Sequence, residues 1–522
     1  MKARSGLLKS AGIVSAAVLV SRITGLARES VLSALFGAGA TFDAYVLGYR
    51  IPNLARDLFA EGALASAFVP TFSRYLATHS HEETRELSNV MGTLLILVVG
   101  ALCALGMIFS PVFVNLFASG FHAVPGKFEL AVQLVRIMFP FLLLIALAAQ
   151  AQGILYAHHQ FGIPALSSSL FNIGSIVFGL AIGHWTSFGA VQGMACGVVC
   201  GGLAQLAFQL PGVWRLGFAW RPSLNLSHEG VRHILKLMGP AVLAGASVQI
   251  NVLVNTDFAA GLRDAAGHVV NGPVSWLSYA YRFQQLPLGI FGISIAAATL
   301  PRISRSAALG DFAELRDVFS HSLAMILLTT IPSSVGLAIL GESMIGIVYQ
   351  HGHFLASDTH QTAIALTCYA IGLAAFASLR LIAPAFYALG DSHTPMMVSI
   401  ASVFVNAAVA FTAVRFLHLG HAGLALSVSI VSIFNALTLL ALIRPRIGGI
   451  RGREILRSLM KILVASSAMG LACEAVVRVS PSRAIDILAG VPVGVLVFFG
   501  VASALHIPEL ADARDAVLRK LR

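Results

Sequence analysis

An all-α integral membrane protein of about fourteen transmembrane helices is what this sequence predicts, and three observations carry that reading. Of 522 residues, 57% are hydrophobic and 11% charged, against roughly 25% charged in soluble domains. Apolar stretches of about 20 residues, enough to cross a hydrocarbon core, recur along the chain between short polar, Gly or Pro breaks. The basic residues fall unevenly among those breaks. Phe outnumbers Trp 32 to 4, and there are 48 glycines, a composition suited to lipid contact and close helix packing.

The first span, about residues 8–36, follows Lys2, Arg4 and Lys9, as a signal peptide would. No small-x-small cleavage site follows its apolar run, so it reads as an uncleaved span. The next five are placed at about 42–74, 88–118, 129–157, 162–183 and 188–211. Six more follow at about 232–261, 274–301, 316–340, 360–388, 395–414 and 421–443, and a last pair at about 456–477 and 484–506. The stretch 341–361 reads as a loop on the outer side.

With this count, 22 of the 34 Lys and Arg fall on the side of the termini and five, Lys127, Arg263, Arg415, Arg478 and Arg483, on the other. The positive-inside rule then makes both termini cytoplasmic. Most of the net charge of +11 is therefore topology, and a nucleic-acid surface is excluded. Seven arginines remain inside spans: Arg22, Arg28, Arg50, Arg56, Arg136, Arg282 and Arg380. Each is costly at bilayer depth unless it faces water or a partner.

An internal repeat organises the spans. Pro70-x-x-Ser73-Arg74 recurs as Pro301-x-x-Ser304-Arg305, Tyr156…Pro164 as Tyr387…Pro395, Tyr49-Arg50 as Tyr281-Arg282, and Gly193-x-Ala195 as Gly423-x-Ala425. A near-constant offset equal to six spans implies two parallel six-helix repeats. The domains expected are an N-lobe at 1–228, a C-lobe at 229–445, and two extra helices with a short cytoplasmic tail at 446–522.

Two spans carry polar faces. At about 100° per residue, Arg22, Glu29, Gly25, Ser21 and Arg28 share an arc of about 120° on the first helix. On the second, Asp43, Arg50, Asp57 and Glu61 fall within about 40° of one another, with Asn53 nearby and Pro52 a source of kinking. Asp43 to Glu61 covers roughly 27 Å of helix, so the stripe needs a water-filled cavity across much of the membrane. Arg282 occupies the repeat position of Arg50. Arginines of this kind can fork onto phosphate oxygens. The alternative use is Arg–carboxylate pairing with Glu29, Asp43, Asp57 and Glu61, which would serve as gates.

Arg136 and Arg380 read as cavity-lining or interfacial. Asp257, Asn255, Asn251 and Asn406 could hold a cation, although polar helix packing explains them more simply. His351-x-His353 is half a metal motif on an outer loop. The five cysteines lie in apolar stretches and read as small hydrophobes. No phosphate-cradling loop, nucleophile elbow, zinc motif or cofactor motif appears, so the chain reads as a transporter and not an enzyme.

The segments Ser21-Arg22…Gly25…Ala27-Arg28-Glu29, Phe36-Gly37-Ala38-Gly39…Asp43-Ala44 and Pro52-Asn53-Leu54…Phe59-Ala60-Glu61-Gly62-Ala63…Ala67-Phe68-Val69-Pro70 resemble the MurJ (MviN) lipid II flippases of the MOP exporter superfamily. So do Gly239-Pro240-Ala241, Ser275-Trp276…Tyr279…Arg282, Gly352-x-Phe354 and Ala383-Pro384-Ala385-Phe386-Tyr387. The resemblance runs over essentially the whole chain. It implies outward flipping of lipid II, an undecaprenyl-diphosphate-linked disaccharide-pentapeptide, by alternating access in a bacterial cytoplasmic membrane. Membrane lipids and cell-wall synthesis machinery are the further partners it suggests. The family's important charges match Arg22, Arg28, Asp43, Arg56 and Arg282, and its last two helices shape a groove for the lipid tail. The sequence departs from many relatives at Asp57, where they carry a basic residue, and at Tyr281, where they carry an acidic one. A sodium site of some relatives is matched in part by Asn406. Other readings are a drug/cation antiporter or an oligosaccharide-lipid flippase of the same superfamily, and a non-transporting scaffold. The antiporter would favour an acidic cavity, whereas this face is rich in arginine.

Overall fold

The computed structural model describes residues 2–58, 64–187, 189–225 and 227–510. Residues cluster into two compact units, Met1–Leu253 and Val254–Arg522.

The first unit contains α1 (Lys2–Phe36), α2 (Ala40–Ala55), α3 (Ala65–Thr78), α4 (His81–Ile108), α5 (Ser110–Phe117), α6 (Lys127–Met138), α7 (Pro140–Ala157), α8 (Gly162–Trp185) and α9 (Ala190–Arg215). The helix α10 (Glu229–Ala260) carries the division between the units. The second unit continues with α11 (Pro273–Pro287), α12 (Ile293–Leu309), α13 (Phe312–Tyr349), α14 (Ala356–Ala388), α15 (His393–Arg415), α16 (Gly420–Arg446), α17 (Gly452–Val479) and α18 (Arg483–Ala504).

Local chemistry sets many of these ends. Ser80 and Glu83 form a reciprocal capping box at the start of α4, which satisfies two otherwise orphaned backbone donors. Pro111 cannot donate to the Met107 carbonyl, and the chain breaks between α4 and α5 for that reason. Gly126 and Gly272, at φ of 74° and 113°, lead into α6 and α11, a backbone region that L side chains rarely adopt.

Close approach of α8 and α9 depends on a glycine ladder. A Cβ on Gly193 would lie 2.4 Å from the Gly183 nitrogen, one on Gly197 2.4 Å from the Ser175 carbonyl, and one on Gly201 2.5 Å from the Phe171 carbonyl. In lipid, where apolar burial does not drive helices together, such backbone contact is what holds them. In the second unit, α13, α17 and α18 close over Leu328, Ile331, Leu340, Ile462, Met469 and Phe498, so the two extra helices pack on the ninth span of the sequence reading.

Eleven helical segments among the described residues are long and apolar enough to cross a membrane: 81–108, 127–157, 162–185, 190–215, 273–309, 312–349, 356–388, 393–415, 420–446, 452–479 and 483–504. These correspond to eleven of the fourteen spans expected. The other three coincide with α1, with α2 and α3, and with α10, the helices on which the sequence places polar residues.

Three readings need correction. The second span is not one helix over 42–74. It runs as α2 to Ala55, opens into wide π-type turns at 56–58, and resumes as α3. Pro52 within α2 has no N–H to give the Gly48 carbonyl, and the ladder loosens one turn on. The 100°-per-residue stripe therefore holds only to Ala55, and Glu61 lies outside the described residues. The outer loop is shorter than 341–361, because α13 reaches Tyr349 and α14 begins at Ala356. Lys127 is no solvated loop charge: it starts α6 and is buried.

Candidate functional site

The site residues of the first unit lie on α1 and α2, and α6, α7 and α8 support them. Arg28 is 8% exposed. Its guanidinium lies over the rings of Tyr49 and Phe171, at 5.7 and 5.1 Å from their centroids. Phe141 packs against both rings, at 6.0 and 5.3 Å. Nε and Nη1 of Arg28 are buried without a hydrogen-bond partner among the described residues. The aromatic faces compensate part of the cost of burying this cation, by about 2 kcal/mol where it is desolvated. They do not hydrogen-bond its edge donors, and a guanidinium edge of this kind can pair with oxyanions.

Arg22 is exposed on α1, and Glu29 is half-buried. Beside Arg22, Asn172 of α8 donates to the Ser21 carbonyl at 3.2 Å and to Thr24 Oγ1 at 3.3 Å. These bonds fix the rotation of α1, on which Arg28 depends.

Asp43 lies at the start of α2 and accepts from Lys127 Nζ at 2.8 Å, with both side chains 1% exposed. Lys127 also lies over the Phe121 ring at 4.2 Å. Removing one member of a buried pair of this kind costs about 3–5 kcal/mol, because a buried charge is left uncompensated. Farther along α2, Gly48 meets α6 closely: a Cβ there would lie 2.9 Å from Leu134 Cβ. Arg50 is half-buried on the same helix.

At the wide turns, Arg56 pairs with its neighbour Asp57 at 2.9 Å. Asn53 and Gln249 also donate to Asp57, each at 3.4 Å. The loosened backbone after Pro52 thus becomes a polar knot at the end of α2.

In the second unit, Arg282 is exposed on α11, and the neighbouring Tyr281 meets Tyr369 edge-on at 5.9 Å. Gln284 donates to the Tyr369 carbonyl at 3.2 Å. Asn406, 1% exposed, donates to Asn255 Oδ1 at 3.1 Å and accepts from Ser427 Oγ at 3.1 Å. These bonds join α10, α15 and α16 as polar helix packing. Asp257 is half-buried two residues further along α10.

Two of the seven intramembrane arginines have local tasks. Arg136 donates to the Met107 carbonyl and to Ser110 Oγ, at 3.2 and 2.9 Å. It thereby satisfies the acceptor that Pro111 strands. Arg380 lies over Phe376 at 5.6 Å on the same helix.

Sequence reasoning missed Lys127, Tyr49, Phe171 and Asn172 as members of this site. Only Lys127 left a signal: a lysine in the first turn of a helix opposes the macrodipole and needs a compensating carboxylate.

Together the fold and these residues define a polytopic α-helical membrane protein of the transporter class, with a buried cation on its polar helices. The chain belongs to the family described as lipid II flippase MurJ, whose model matches residues 32–482. It is 31% identical over 521 residues to a probable lipid II flippase MurJ of Bdellovibrio bacteriovorus, covering 98% of this chain and 97% of that one. The lipid II flippase MurJ of Burkholderia cenocepacia is 32% identical over 437 residues, 83% of each. Among solved structures, a lipid II flippase MurJ in an inward closed conformation superposes with a TM-score of 0.79 at 26% identity, covering 97% of this chain and 99% of the other. An inward-facing MATE multidrug-resistance transporter of the MOP superfamily, at 17% identity and TM-score 0.63 over 84% and 94%, shares the fold.

Proposed function

We propose that the protein flips lipid II from the inner to the outer leaflet of a bacterial cytoplasmic membrane by alternating access. Arg28 carries the reading: a buried guanidinium whose Nε and Nη1 have no hydrogen-bond partner among the described residues suits a diphosphate and is hostile to a cationic drug. In this mechanism Arg22, Arg50, Arg56 and Arg282 supply the remaining positive charge, and the dianionic headgroup neutralises their mutual repulsion. Glu29, Asp57 and Glu61 serve charge pairing at the gates, whereas Asp43 is held by Lys127 within the first unit. The lobes 1–228 and 229–445 rock against one another, and substrate binding shifts the population only as far as its affinity differs between states. The helices α17 and α18 border the path of the lipid tail.

The membrane arrangement we infer has fourteen spans, both termini cytoplasmic, and two parallel repeats. Tertiary bonds at the sequence offset support the repeat. Asn89 accepts from the Arg221 amide and Ser320 from the Arg451 amide, and Asn172 reaches Thr24 as Asn406, three residues past the offset, reaches Asn255. Helix pairing agrees as well, since α8 with α9, α7 with α9 and α2 with α6 have counterparts in α15 with α16, α14 with α16 and α11 with α14.

The test is conditional depletion followed by quantification of externally accessible lipid II. Its external pool should collapse, and an unchanged pool would refute the reading. Cysteines at Ser357 and Glu82, both exposed, test orientation. An impermeant thiol reagent should label the first in intact cells and spare the second.

A further inference from the structure

The packing of α2 against α6 connects Lys127 to the cationic site through a chain of contacts. The two helices run side by side in the same direction, with Asp43 beside Lys127 and Gly48 beside Leu134 and Val135. One residue beyond Gly48, Tyr49 meets Phe141 and lies under the Arg28 guanidinium. A slip of α2 by one residue would move Tyr49 about 1.5 Å along the axis and turn it about 100° away. Apolar contacts tolerate such a slip poorly but do not forbid it, whereas a dry ion pair with both partners 1% exposed does, because it has one favourable register. The pair is costly as a stabilising device, since an apolar pair of equal volume serves as well. Its use is to fix a geometry.

Resting on the flippase reading above, we infer that Lys127 is a positioning residue for diphosphate recognition. By holding Asp43 it sets the register of α2, and so the placement of Tyr49 under Arg28. It touches no substrate itself.

The experiment measures the apparent affinity of the purified full chain for undecaprenyl diphosphate, together with externally accessible lipid II per molecule in depleted cells. The parent chain is the control: if it neither binds the diphosphate nor restores the external pool, the flippase reading falls and this inference with it. With a functional parent, Lys127→Met at parental membrane level should bind at least tenfold more weakly and export correspondingly less. Parental affinity in that variant overturns the inference and leaves the flippase reading intact. If Lys127→Met does not accumulate, the double variant Asp43→Leu/Lys127→Met replaces the pair with apolar side chains of similar volume. Weak binding by this folded double supports positioning. Parental binding by it shows that the pair serves only the fold.

Discussion

The first helix of each broken span is tied to a neighbour near its start, and the two units do this with different chemistry. In the first unit, Asp43 of α2 meets Lys127 of α6 as a buried ion pair at 2.8 Å. In the second, Trp276 of α11 donates from its indole to Asp358 of α14 at 3.0 Å. Lys127 and Asp358 stand at the repeat offset, and so, within two residues, do Asp43 and Trp276. Asp358 also accepts from the Leu355 amide at 3.0 Å, so it retains a partner if the indole is lost. The breaks differ in the same sense. After α2 the wide turns carry Arg56 and Asp57, whereas after α11 the π-type turn Leu288–Gly292 is apolar. At these fastenings and breaks the first unit uses ion pairs where the second uses an indole and apolar side chains. The lesson is that helices in the two units are fastened at similar places by different chemistry.

The largest effect should come from breaking the first fastening. Asp43→Ala is expected to cost about 3–5 kcal/mol, since it removes the carboxylate that the buried Lys127 ammonium meets. Trp276→Phe should cost about 1 kcal/mol, a single hydrogen bond. Thermal unfolding of the purified variants checks this, and equal losses would erase the distinction between the units.

The next effect concerns the two arginines. Arg28→Lys should weaken diphosphate binding about tenfold, a loss of about 1.4 kcal/mol, because an ammonium cannot reproduce a planar fork stacked on Tyr49 and Phe171. Arg282→Lys, at an exposed position on α11, should lose less. Titration of both variants with the same lipid decides the order, and a larger loss at Arg282 would move the centre of recognition to the second unit.

A smaller effect is expected where the units match. Asn172→Leu and Asn406→Leu should each destabilise by about 0.6 kcal/mol and at most about 1.7 kcal/mol, the range for polar bonds between membrane helices. Unfolding measurements that separate the two by more than that range would show that the fastenings are not equivalent.

The smallest effect is a flat pH response. Thr394 hydrogen bonds, then Arg446, hold the Asp391 carboxylate down at about 2, and the Ser80 hydrogen bonds lower Glu83. Groups with depressed values contribute stability above their unfolded pKa of about 4 and lose it as pH falls through the folded value. The unfolding temperature should therefore stay level from pH 8 to pH 5 as far as these groups act. A fall within that window would point to histidines instead.

Much of this was legible from the sequence because lipid imposes one strong rule: a buried backbone must bond to itself. Hydropathy therefore located the eleven apolar spans, and intramembrane charge singled out Arg28, Asp43 and Arg282 before any contact was known. What the sequence by itself did not determine is partnership. Lys127 reads as a loop cation until α6 brings it to Asp43, 84 residues away along the chain. The break after Pro52 reads as a kink until the backbone is seen to widen at 56–58. The Arg28 sandwich needs Tyr49, Phe141 and Phe171 from three other helices. Spans follow from the local cost of placing each residue in lipid, whereas pairing and register depend on which helix faces overlap, and only tertiary packing decides that.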